Sequence, residues 1–216
     1  MVHAASREFD RQRDRLVSLG YPALAGLSSG EFTEAVEPLR MLVASSDHVP
    51  LTTSDVPWVI VVTPGLIDPE LLVPLLRLDG GTLPGVVDRN HGDDGLSPYA
   101  ALSELNVPEG GAYLLFGIER GEEFCNVRPE DALPVIKGRG RTPLTIPEGI
   151  ALVTHFPELL EKNKCFMLSG SRRGDRRVPA MWISAKAPKL GWCWDGNSHT
   201  WLGTASAGGR AGLAAG

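Results

Sequence analysis

The stretch GWCWDGNSHTWLG, residues 191–203, holds three of the chain's five tryptophans, one of its three cysteines and one of its five histidines. Trp192 and Trp194, two positions apart, share one face of any strand they occupy, and Cys193 takes the other. Asp195-Gly196-Asn197 is turn chemistry, so the stretch reads as strand, turn, strand. Segments 165–168 and 178–185 have the same character: short, β-branched or aromatic, and bounded by Gly, Pro, Asp or Asn. A sheet therefore closes the chain.

Upstream the pattern is helical. Residues 6–19 (SREFDRQRDRLVSL) read as a charged helix with Ser6 as N-cap and Gly20 as its stop. A second helix is expected over 30–43, capped by Ser28 or Ser29 and weakened by Pro38. PWVIVVTP (57–64) and AYLLFGI (112–118) are buried strands. Asp68-Pro69-Glu70, Ser97-Pro98, Arg128-Pro129 and Pro147-Glu148 each open a helix, with proline in the first turn; the last is expected to bend at Pro157 and reach toward Asn163. The fold class that follows is α+β. N-terminal helices and a short mixed sheet precede a C-terminal antiparallel β-sheet with a tryptophan-rich hairpin. Residues 1–204 make one domain, and the glycine-rich 205–216 (ASAGGRAGLAAG) a flexible C-terminal tail.

A chain of 216 residues, 43% hydrophobic and 22% charged, has globular composition. No apolar run reaches the length of a membrane span, and the start lacks an apolar leader, so no membrane partner and a cytoplasmic location are expected. Three scattered cysteines agree with a reducing compartment. The net charge of −5 hides a basic stretch: residues 137–190 carry eleven Lys or Arg against four Asp or Glu. An overall pI of 5.6 argues against wholesale nucleic-acid binding as its use.

No Walker loop, dinucleotide fingerprint, nucleophile elbow or H-E-x-x-H is present, and no cofactor is expected. Cys165, Cys193, His155 and His199 are zinc-type ligands, yet none sits in a paired spacing, and thiols packed as small hydrophobes account for them more simply; no metal is expected. Asp88, Asp93 and Asp94 beside His91 fit no calcium loop and read as an exposed turn. SGSRRGDRR (169–177) is the strongest chemical signal. Arg172, Arg173, Arg176 and Arg177 crowd a flexible loop, and guanidinium groups match sulfate, phosphate and carboxylate. The plain alternative is a solvated loop guarding a sheet edge. Trp182, Trp192, Trp194 and Trp201 could wall an adjoining pocket, with His199 and Asp195 as an acid/base pair, His155 as a second candidate base, and Arg141 and Glu148 orienting substrate. A tryptophan-stapled hairpin is the competing reading.

EFDRQRDRLVSLGYPALAGLS (8–28), GEEFCNVRPEDALP (121–134), RGRTPLTIPEGIALVTHFPELLEKN (139–163), GSRRGDRRVPAMWIS (170–184) and PKLGWCWDGNSHTWLGTASAGGR (188–210) resemble an uncharacterised actinobacterial protein family, a domain of unknown function. The resemblance spans about 8–210, is loosest over 44–110, and implies one continuous domain with no transferable site residue. Such a lineage suggests specialised metabolism. The expectation is an enzyme or catalytic subunit acting on an anionic small molecule, extending to intramolecular displacement of an anionic leaving group as in the aziridine of azinomycin-like antibiotics. The alternative is a non-enzymatic protein that binds a nucleic acid or protein through its arginines and tryptophans. A second subunit or homo-oligomer is a further possible partner.

Overall fold

Apolar strands and capped helices alternate along the chain much as the residue pattern dictates. The computed structural model describes residues 2–44 and 55–213. It opens with helices α1 (Val2–Ser18), α2 (Tyr21–Leu24), α3 (Ser29–Val36) and α4 (Arg40–Ala44), followed by β1 (Asp55–Val62) and α5 (Pro69–Leu72). The two-residue strands β2 (Val86–Val87) and β3 (Ala100–Ala101) precede β4 (Ala112–Glu119), α6 (Pro129–Gly138), β5 (Thr142–Pro143) and α7 (Ile146–His155). The end is all strand: β6 (Cys165–Met167), β7 (Ser171–Arg172), β8 (Arg177–Ser184), β9 (Ala187–Trp194), β10 (Leu202–Thr204), β11 (Ser206–Ala207) and β12 (Gly209–Ala211). The class is α+β.

Local chemistry explains most boundaries. Ser28 accepts from the Glu31 amide while Glu31 reaches back to the Ser28 amide, so α3 starts in a reciprocal capping box. Pro38 cannot donate, and the expected single helix breaks there into a 3-10 turn, Glu37–Leu39, before α4 resumes. α1 starts upstream of Ser6, which is therefore interior to the helix and not its cap. No helix follows Ser97-Pro98; β3 and a 3-10 turn, Ser103–Leu105, occupy that segment. α7 stops at His155 because Phe156 precedes a proline and adopts an extended φ of −137°.

Two larger sheets carry the core. In the first, β4 runs antiparallel to β1 along one edge, while β11 and then β12 follow its other edge, and β5 pairs with β11. The expected flexible tail is thus corrected: residues 206–207 and 209–211 are strand, and Arg210 is anchored in the interior. Residues 214–216 of that segment lie outside the described residues. The second sheet runs β10-β6-β8-β9-β2, with parallel pairs at its two edges and antiparallel pairs between. The mixed sheet is therefore the C-terminal one, and the first is antiparallel throughout. The tryptophan-rich hairpin is β8–β9, turned by Ala185 and Lys186 at φ 49° and 60°, the two-residue turn whose twist suits a hairpin. Asp195–Asn197 does not turn a hairpin, because β10 leaves β9 and pairs with β6.

α7 lies at the centre, with every residue except Pro147 buried. Gly149 lets it approach the second sheet: a Cβ there would strike the Leu168 side chain. At the open edge of β1, the buried Gln12 side chain acts as a substitute strand. Its amide donates to Trp58 O at 3.1 Å and accepts from Ile60 N at 2.9 Å. An edge that would otherwise bury unpaired backbone is thereby closed.

Candidate functional site

The arginine loop does fold over the tryptophan wall. β7 leads into it and β8 leaves it, and Arg177 stacks on Trp192 at 4.7 Å and on Trp194 at 6.0 Å from the ring centroids. Trp192 and Trp194 meet edge to face at 4.9 Å. Each guanidinium, however, already faces a carboxylate. Arg172 pairs with Asp195 at 3.3 Å, Arg176 with Glu130 at 2.8 Å, and Arg173 and Arg177 share Asp175 at 3.5 and 3.6 Å. Charge density in the sequence becomes a largely neutralised network in space. Arg176, 65% exposed, and Arg128, 50% exposed, flank a shallow hollow of about 350 Å³ beside Trp194, where Glu130 pairs with both.

The other two tryptophans are elsewhere. Trp182 occupies the face of the β8–β9 hairpin opposite Trp192 and Trp194, lies across Gly191, and meets Trp201 edge to face at 6.1 Å. His199 packs against Trp201 at 5.5 Å, and burial lowers its pKa. Asp195 is committed to Arg172, so the expected His199–Asp195 pair does not form.

His155 is buried, its Nε2 facing Ile60 O at 3.2 Å, and burial drives its pKa down to about 3. It is a core residue away from solvent. Arg141 straps the first sheet together through Glu119, Ser206 and the Gly117 carbonyl. Glu148 is fully buried, and four donors fill its carboxylate: the Thr145 amide, Tyr113 Oη, and Arg210 through Nε at 2.6 Å and Nη2 at 2.9 Å. Cys193 rests on Met167 and Cys165 faces the Glu161 carbonyl. Asp88 pairs with Lys189 at 3.1 Å. Among the described residues no group of three or more His, Cys, Asp or Glu is placed to share a metal ion.

A further hollow lies where the sequence was least legible. A cavity of about 540 Å³ opens between the Thr63–Pro69 turn after β1, the stretch from Leu96 to Gly110, and the first turn of α7. Its body is apolar, from Pro64, Leu96, Val107, Pro108, Ile146 and Pro147. Hydroxyl groups of Thr63, Ser97, Tyr99, Tyr113, Thr145 and Ser171 punctuate it, and two carboxylates, Asp68 and Glu109, stand exposed on it. None of its lining residues is Lys, Arg or His.

The wall is held rigidly. Tyr113 donates to Glu148 at 2.8 Å, and burial raises its pKa well above the usual phenol value. Ser171 accepts from the Ile146 amide at 2.9 Å, tying β7 to the start of α7. Thr63 donates to the Gly110 carbonyl at 2.6 Å and closes the turn after β1. The chain belongs to the family of unknown function DUF5701. The profile of that family matches residues 15–213, which leaves out most of α1 and the extreme C-terminus. No curated protein and no solved structure matches the chain.

Sequence reasoning missed this DUF5701 cavity because no residue in it is chemically loud. The available signal was positional: a buried strand ending in Thr63-Pro64-Gly65, followed at once by a capped helix start.

Proposed function

We propose that this DUF5701 protein binds a small organic molecule in the cavity between the Thr63–Pro69 turn and α7. One observation carries the reading: a hollow of about 540 Å³ with an apolar body and several hydroxyl-bearing residues in its lining. That volume and that lining are typical of sites for small ligands. Binding is favoured over catalysis because two of the ionisable groups in its lining are already engaged. Tyr113 is held by Glu148, and Asp68 caps α5 through the Glu70 amide. The Ala101→Trp variant tests the reading. Ala101 is exposed yet lines the cavity, so a large side chain there should fill the space without unfolding the chain. Ligands found by thermal-shift screening should lose their effect on the variant; ligands that stabilise it as strongly as the wild type would defeat the proposal.

A second reading retains the anionic substrate and an enzyme of specialised metabolism. It is supported by the exposed Arg128 and Arg176 beside Trp194. Arg176→Gln should then abolish anion binding while leaving the cavity ligand untouched.

A further inference from the structure

The hydroxyls that line the cavity are not alike, because several have already given their protons to the chain. Thr63 donates to the Gly110 carbonyl at 2.6 Å, Ser97 to the Asp94 carbonyl at 2.7 Å, and Tyr113 to Glu148 at 2.8 Å. A hydroxyl has one proton and two lone pairs, so toward a ligand these three can only accept. The backbone at the start of α7, where a helix otherwise receives an anion, is spent as well. The Thr145 amide goes to Glu148 at 2.7 Å and the Ile146 amide to Ser171 Oγ at 2.9 Å, while Pro147 has none to give.

Charge points the same way. No Lys, Arg or His lines the cavity, whereas Asp68 and Glu109 do. The two carboxylates stand on adjoining turns, which Thr63 joins through its amide to Gly111 O at 3.0 Å and its hydroxyl to Gly110 O. Asp68 gives Oδ1 to the Glu70 amide at 2.9 Å and keeps Oδ2. Guanidinium groups behind the wall do not reverse the balance. Arg210, beyond Tyr113, is matched by Glu148 at 2.6 Å, and Arg173, beside the Tyr99 ring, by Asp175 at 3.5 Å. The remaining hydroxyls, on Tyr99, Thr145 and Ser171, are neutral donors at most.

Resting on the cavity reading above, we propose that the cavity's ligand is an amine, with an apolar body that fills the hollow and an ammonium group held at the rim by Asp68 and Glu109. An ammonium brings three N–H donors and a positive charge to a lining short of both. Nothing is transferred; the step is binding alone.

Isothermal titration calorimetry of the full chain at low salt tests this with 3-phenylpropylamine, uncharged 3-phenylpropan-1-ol and 3-phenylpropionate, which share one apolar body. The amine should bind about fivefold more tightly than the alcohol, the size of one partly exposed ion pair, and the carboxylate more weakly than either. Raising the salt should shrink the amine's advantage. Asp68→Asn combined with Glu109→Gln should erase it; the first change keeps an oxygen for the Glu70 amide, so α5 retains its cap. Glu34→Gln, on α3 and outside the lining, should leave the advantage intact. An amine that binds no better than the alcohol, or not at all, overturns the ligand class, as does a carboxylate that binds best or an advantage that survives the double substitution. If Ala101→Trp blocks amine and alcohol alike while they bind equally, the cavity stands and the amine assignment falls. If it blocks none of the bound probes, the cavity reading falls.

Discussion

The arginine loop and the Tyr99 cavity are neighbours built on opposite economies. The loop concentrates four guanidinium groups and meets them with Asp195, Asp175 and Glu130, whereas the cavity's lining holds no cation and only two carboxylates, both exposed. The difference teaches that a residue type's density along the chain does not measure its availability. Pairing decides availability, and pairing is long-range: Arg176 and Glu130 are 46 positions apart.

The largest effect should come from the cavity side, where the supporting ion pair is buried. Arg210→Ala or Glu148→Ala strands a charge in the interior and should cost about 3–5 kcal/mol in chemical denaturation. Arg176→Ala, breaking an exposed pair, should cost at most about 1 kcal/mol. Equal costs would erase the contrast between the two regions.

Acid sensitivity should also come from the interior. His155 is held at a pKa of about 3 against an ordinary 6.5. As pH drops below about 6.5 the unfolded chain gains a proton that the folded chain refuses. Its contribution is complete above that pH and is lost between about 6.5 and 3, by up to ~1.4 kcal/mol per pH unit. His91, its pKa also lowered by burial, adds in the same direction. His155→Gln should flatten the slope of stability against pH; an unchanged slope would remove His155 from the account.

A smaller loss is expected at the β1 edge. Gln12→Leu removes two hydrogen bonds to buried backbone and should cost about 1–3 kcal/mol by thermal unfolding. Comparable to Arg176→Ala, Arg177→Leu should cost about 0.5–1 kcal/mol and shift tryptophan emission, because its stacking on Trp192 and Trp194 is partly exposed.

Much of the fold was legible because it rests on local chemistry. The Ser28 cap, the Pro38 break, the apolar runs of β1 and β4, and the alternation of Trp192, Cys193 and Trp194 all act within a few residues. The helix expected after Ser97 failed because β3 is held instead by β7, some seventy positions away. Residues 205–211 were misread for a related reason. Small residues look flexible in isolation, yet they let β11 and β12 lie close along β4, and Arg210 finds Glu148 only across 62 positions. At the candidate site the sequence singled out the arginines and the tryptophan face but left open whether they adjoin; the structure lays Arg177 on Trp192 and Trp194. It did not locate the carboxylates that neutralise them, nor a cavity made of hydroxyls and prolines whose meaning is entirely geometric.

The most direct test of the central claim is a map of amide chemical shifts as the chain is titrated with a cavity-sized, uncharged aromatic alcohol such as 3-phenylpropan-1-ol. The account predicts shifts centred on Thr63, Tyr99, Gly110, Thr145 and Ser171. Shifts centred instead on Arg176, Trp194 and Asn197 would contradict it and return the function to the arginine loop.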